Sequence, residues 1–270
     1  MESAGQVAFF TRNTGAALAY IHENPEAPGA GVFWLSGYRS DMRGTKAEAL
    51  AGAARTAGRR CLRFDYSGHG ASQGNFTDCA ISDWLEDTVQ MLLGVARGEQ
   101  IVVGSSMGGY LALLLVKTLR QHFRQELSRI KGMVLIAPAA DMTENLMWRQ
   151  FDEAARCQIE RQGQWLMPSA YGDGYVITRR LIEDGRRHLI LNEDFAVDFP
   201  VRILHGAEDP DVPWQHGLKL FERLTGEDVR FTLIKGGDHR LSTPRDLGTI
   251  VGTVEDLAQG ACLRARNPSR

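Results

Sequence analysis

At 270 residues, 43% of them hydrophobic, the chain can bury a large core and has the ordinary size of one α/β domain. A net charge of -2 argues against nucleic acid or an anionic membrane as an electrostatically recruited partner. The four cysteines, Cys61, Cys79, Cys157 and Cys262, include no CxxC pair, so reduced thiols are expected rather than a disulfide or zinc framework.

No apolar run approaches the roughly 18 residues of a membrane span. The opening residues, Met1 to Gln6, lack the basic-then-apolar order of a secretory leader. A reducing, cytoplasmic setting with no integral membrane segment is therefore expected.

Val7 to Thr11 and Ala16 to His22 read as a hairpin closed by Arg12-Asn13-Thr14-Gly15. Gly31 to Leu35 is a short apolar run typical of a strand covered on both faces, and Ser36 to Met42 is the first loop after it. Lys46 to Ala57 is alanine-rich and predicts a helix, Cys61 to Phe64 a strand, and Asp65 to Ser72 a glycine-rich turn. His69 within that turn is expected to make local hydrogen bonds rather than to catalyse. Ile81 to Val95 carries apolar residues at helical spacing, with Ser82 or Asp78 as cap.

Ile101 to Val103 predicts a buried strand and Tyr110 to Leu119 a helix, with Gly104-Ser105-Ser106-Met107-Gly108 between them, a match to GxSxG. A serine on such a turn has its hydroxyl pushed clear of the backbone, at the positive end of the helix that follows. Ser106 is therefore the candidate nucleophile. Ile130 to Ile136 follows as a strand.

About sixty residues then break the alternation, which is longer than an ordinary connection and predicts a helical cap over roughly 138–199. Thr143 to Arg161 reads as one helix opened by an Asp141/Glu144 capping box, Tyr171 to Tyr175 as a turn, and Thr178 to Arg187 as a second helix. Trp148, Trp165, Met142 and Met147 either pack the cap together or line a pocket for an apolar acyl group. Arg186, Arg187 and His188 suit a helix C-terminus through the dipole alone. Val201 to Leu204 resumes the sheet, Trp214 to Leu224 is a helix and Val229 to Ile234 the last strand. Thr243 or Ser242 with Pro244 opens a final helix reaching about Gln259, and the basic tail 264–270 is expected to fray.

An alcohol is a poor nucleophile at neutral pH, so Ser106 needs a base, and the base an orienting carboxylate. Asp209 and His239 supply them in the order serine, acid, histidine, each on a loop after a strand. Parallel strands deliver all three loops to one carboxyl edge. Asp211 lies farther from its strand, Asp238 adjoins the histidine and is expected to tether the loop, and His205 is expected to be packed. The oxyanion formed on attack calls for two backbone donors, expected at Met107 and Tyr38.

Gly104 to Gly109, Asp65 to Ser72, His205-Gly206 with Asp209 to Pro213, and Asp238-His239 together resemble the α/β-hydrolase superfamily over nearly the whole chain. Ser36 to Met42 with Gly44, Thr45 and Lys46, and Asp238-His239-Arg240, look like the abhydrolase group that includes a mitochondrial palmitoyl-protein thioesterase and acyl-glucuronide esterase. The resemblance implies a mostly parallel eight-stranded sheet with helices on both faces and a helical cap. It also implies the triad Ser106, Asp209 and His239 acting on an ester or thioester. The expected reaction needs no cofactor or metal. Its substrate would be a small molecule or an acylated protein, and the chain a monomer or homodimer. A non-catalytic binding protein and an acyltransferase are the alternatives.

Overall fold

In the computed structural model, which describes residues 5–169 and 172–266, eight strands form one sheet. They are β1 (Ala8–Thr11), β2 (Ala17–Glu23), β3 (Gly31–Leu35), β4 (Cys61–Phe64), β5 (Gln100–Ser105), β6 (Ile130–Ile136), β9 (Val201–Gly206) and β10 (Val229–Ile234). Their order is β1-β2-β4-β3-β5-β6-β9-β10, with the β1/β2 and β2/β4 pairs antiparallel and every other pair parallel. The crossovers are helices: α1 (Thr45–Thr56), α2 (Ile81–Gly94), α3 (Met107–His122) and the short α4 (Arg124–Leu127).

Alternation along the strands divides the core in two, because successive side chains point to opposite faces. Val32 and Trp34 of β3, Ile101 and Val103 of β5, and Val134 and Ile136 of β6 pack against α1 and the last helix, α8 (Pro244–Arg266). Phe33, Leu35, Val102, Met133 and Leu135 face α2 and α3. Between the sheet and the insertion, α3 is apolar nearly all round, with Leu111, Leu113, Leu115 and Leu119 at 0% exposure, each stabilising by about 1.5–3 kcal/mol. Removing one of those leucines would leave a cavity in the layer that carries Ser106.

The chain between β6 and β9 differs from its prediction. Thr143–Trp148 is a π-helical turn, and a separate α5 (Glu153–Gln162) starts where the Asp152 carboxylate accepts the Ala155 N–H at 2.7 Å. Asp141 does not close a capping box; it accepts the amides of Ile190 and Leu191 at 2.8 and 3.1 Å. A two-stranded antiparallel sheet follows, β7 (Gln164–Ser169) with β8 (Gly172–Thr178), where a turn was expected. Of that turn, Tyr171 lies outside the described residues. Then α6 (Arg179–Gly185) is capped by Thr178, whose hydroxyl accepts the Leu181 N–H at 3.1 Å.

Elsewhere the cap expected for α2 changes, while α8 opens at Thr243, one of the two residues expected there. At the start of α2, Asp83 accepts the Ala80 N–H at 2.8 Å, while Ser82 instead joins Asp184 and His188 across the molecule. Thr243 and Asp246 exchange hydrogen bonds at the start of α8, which runs past Gln259 to Arg266. Of the tail expected to fray, 267–270 lie outside the described residues. Cys61, Cys79 and Cys157 are free thiols; the Cys262 side chain lies outside what is described. No helix among the described residues is long and apolar enough to cross a membrane.

Candidate active site

Ser106 stands between β5 and α3 at φ 55° and ψ -117°, a region that L-residues rarely occupy. The turn holds because strand and helix approach so closely that only glycine fits on either side of it. A Cβ on Gly104 would lie 2.3 Å from the Gly108 carbonyl oxygen, and one on Gly108 would lie 2.1 Å from that of Leu35. Main-chain bonds finish the support: the Ser106 N–H donates to the Ile136 carbonyl at 2.8 Å, and the Ala139 N–H donates to that of Ser106 at 3.1 Å.

The loops after β9 and β10 bring the other two groups to this turn. His239 Nε2 lies 3.1 Å from Ser106 Oγ, and His239 Nδ1 lies 2.8 Å from Asp209 Oδ2. Asp209 Oδ1 accepts the amides of Asp211 and Val212 at 2.9 and 2.8 Å, so its carboxylate is fixed before any substrate enters. Burial pushes the Asp209 acid up. Hydrogen bonds from His205 and His239, with the Val212 amide, outweigh that and hold it below the usual carboxylate range. The carboxylate accepts at Nδ1 in the tautomer that carries its proton there, and in that tautomer Nε2 has its lone pair toward the serine.

His205 is fully buried, with Nε2 against the Val212 carbonyl at 2.8 Å. Asp238 accepts the Leu241 N–H at 2.9 Å, a bond within its own loop. One set of potential metal donors occurs among the described residues, Asp209, Asp211 and His239, with ligand atoms within 4.8 Å of one another. Its Asp209 and His239 atoms are engaged with each other and with backbone amides, so it offers a cation no vacant pair of donors.

The loop after β3 closes the site from the other side. A Cβ on Gly37 would lie 3.5 Å from Ser106 Cβ, so the backbone entering Tyr38 passes directly over the serine. Met107 is the first residue of α3, where an amide has no partner within the helix. The Tyr38 ring packs edge-on to Phe76, Trp84 and Tyr175, with centroids 4.9, 5.8 and 6.1 Å away.

A cleft of about 640 Å³ opens over Ser106, walled by Tyr38, Tyr175, Asp211, His239, Arg240 and Lys46. The Lys46 amine donates to the Arg240 carbonyl, and burial lowers its pKa to about 8 despite the nearby Asp238 carboxylate. Met142, Met147, Trp148 and Trp165 do not line this cleft. The two methionines are 5% and 8% exposed within the core, and Trp165 packs on Phe151 at 4.9 Å. Trp148 lies between the Arg156 and Arg186 guanidiniums, 5.6 and 4.9 Å from its ring. The insertion reaches the cleft through Tyr175 of β8 instead. Gly172-Asp173-Gly174 ahead of the β-branched Val176, Ile177 and Thr178 is the hairpin signal that would have pointed there.

Comparison with known proteins sets this geometry beside relatives. Residues 27–247 match the model of the alpha/beta hydrolase family. The mouse mitochondrial palmitoyl-protein thioesterase ABHD10 is 35% identical over 253 residues, covering 93% of this chain and 82% of the mouse protein. A putative hydrolase from Agrobacterium vitis S4 superposes with a TM-score of 0.89 at 38% identity, covering 95% of this chain and all of the other (100%). The solved mouse alpha/beta hydrolase domain-containing protein 10 gives 0.84 at 33% identity, covering 94% and 99% of the two chains. The mouse relative is named as mitochondrial, which overturns the cytoplasmic setting expected from the opening residues.

Proposed function

This chain belongs to the alpha/beta hydrolase family, and we propose that it is a serine hydrolase that cleaves an ester or thioester of an acyl group through an acyl-enzyme. In this reading Ser106 Oγ attacks the acyl carbonyl while His239 Nε2 takes its proton, and Asp209 holds the imidazole and offsets its charge. The amides of Tyr38 and Met107 receive the oxyanion. Collapse expels the alcohol or thiol, which takes the proton back from His239. Water then attacks the acyl-serine as His239 accepts its proton, and collapse releases the acid while Ser106 Oγ takes that proton back from His239.

The observation that carries the reading is the continuous chain of hydrogen bonds from Asp209 through His239 to Ser106, at 2.8 and 3.1 Å. The mouse thioesterase supports the acyl class of substrate. The walls of the cleft are polar as well as aromatic, which favours an acyl group or leaving group with hydrogen-bonding atoms over a bare hydrocarbon chain.

A fluorophosphonate probe followed by peptide mass spectrometry tests the assignment. The adduct is expected on Ser106 and lost in Ser106→Ala. An adduct on another serine, or none on folded protein, rules the reading out.

A further inference from the structure

The glycine-rich turn Asp65 to Ser72 takes no part in the mechanism above, yet the loop that passes over Ser106 is bound to it along its length. The Met42 N–H donates to Asp65 Oδ1 at 2.7 Å, the Tyr66 hydroxyl to the Ser36 carbonyl at 3.3 Å, and the Arg39 N–H to His69 Nε2 at 3.2 Å. We propose that His69 is a positioning residue of the oxyanion site: its ring holds the Arg39 amide and thereby fixes the adjoining Tyr38 N–H beside Ser106. The proposal rests on the serine-hydrolase reading.

The ring's own bonds select its state. His69 Nδ1 faces the Ser67 carbonyl at 3.2 Å and must donate to it, which leaves the lone pair on Nε2 for the Arg39 N–H. Only the neutral ring with its proton on Nδ1 makes both bonds, and burial lowers the basicity of His69 accordingly. The ring cannot swing: it is 4% exposed and wedged edge-on against Tyr66, Phe76 and Trp84, with centroids 5.5, 5.1 and 5.4 Å away.

An anchor is needed at this place because Arg39 sits at φ 56°, a left-handed conformation that a side chain disfavours. Released, the peptide would relax toward φ below zero and turn the preceding residue, Tyr38, away from the serine. The acceptor also has to be neutral. A carboxylate at position 69 would hold the amide equally well but would place a negative charge beside the developing oxyanion.

The test uses the full chain with three replacements. His69→Phe keeps the aromatic packing and loses the acceptor; His69→Gln returns an acceptor near the place of Nε2; His69→Asn is too short to reach Arg39. With an activated aryl ester, His69→Phe and His69→Asn are expected to lose about 10- to 100-fold in kcat with KM within about two-fold. Affinity for a boronic-acid transition-state analogue should fall by the same factor, and His69→Gln should recover most of both losses. Amide hydrogen exchange at Arg39 should quicken in the Phe and Asn variants and not in Gln.

If His69→Phe fails to fold, the Asn and Gln pair carries the same contrast. Unchanged kcat in a folded variant that lacks the acceptor overturns the role, as does Arg39 exchange that ignores the substitution. If the wild type itself turns over no ester, the serine-hydrolase reading fails and this catalytic role with it. The exchange result then decides separately whether His69 holds the loop.

Discussion

Two parts of the molecule meet over Ser106 and are held by different means. At the carboxyl edge of the sheet the support is main chain against main chain. Glycines there leave no room for a Cβ, the Asp209 carboxylate takes two backbone amides, and the serine's own N–H and C=O are both bonded. In the insertion the support is side chain against distant side chain or backbone. Asp141 reaches Ile190 and Leu191, Ser82 reaches Asp184, and Trp148 lies between two arginines. The first kind of support fixes atoms to a fraction of an ångström; the second fixes a body and lets its details vary.

The contrast breaks or sharpens under substitution. The largest effect is expected from Asp209→Asn, which removes the anion that sets the His239 tautomer and should lower kcat by about 10⁴-fold. Met147→Ala, in the insertion and away from the cleft, should cost about 2–5 kcal/mol of stability yet leave kcat within about three-fold. Steady-state kinetics on the folded variants compares them directly. A large kcat loss from the methionine would erase the distinction.

Next in size is a pair of glycines. Gly108→Ala drives a Cβ to within 2.1 Å of a main-chain oxygen and should cost about 3 kcal/mol or more. Gly163→Ala, at φ 80° with nothing within 4 Å of the new Cβ, should cost only the conformational strain of about 1–2 kcal/mol. Denaturant midpoints give both numbers. Equal costs would mean that the elbow yields as readily as the insertion.

Smaller still, Trp148→Leu forfeits two cation–π contacts and should lower stability by about 1–2 kcal/mol with no change in kcat. The smallest expected effect is one of pH. Desolvation favours the neutral amine of Lys46, so its labelling by an amine-reactive reagent should rise through about pH 8. An ordinary lysine begins to react about two pH units higher. Mass spectrometry across the pH series checks the order; labelling of Lys46 only near pH 10 would contradict its burial in the cleft wall.

The same division explains what the sequence revealed. The meeting of Ser106, Asp209 and His239 at one place was legible because each follows a strand with its own local signature, and a parallel sheet leaves such loops one edge at which to emerge. The insertion carries weaker signals. Asp152 opening α5 and Thr178 opening α6 are ordinary N-caps, but only the second stood at a boundary already expected. Asp141 with Glu144 has the spacing of a capping box, and tertiary partners fifty residues on claim the carboxylate instead. Trp148 and Trp165 suggest a pocket by composition alone. Whether an aromatic faces a cleft or an arginine depends on contacts that no local pattern encodes. His69 was expected to bond locally; that its partner would be the loop over Ser106 follows only from the order of β4 and β3 in the sheet.

Rapid quenching of the chain with an excess of p-nitrophenyl ester, followed by intact and peptide mass spectrometry, bears most directly on the Ser106–His239–Asp209 assignment. Acyl-enzyme chemistry requires that nitrophenolate be released no later than the acyl group appears on Ser106, and that Ser106→Ala show neither. Ester turnover that survives Ser106→Ala, or an acyl group carried by a different residue, would contradict it.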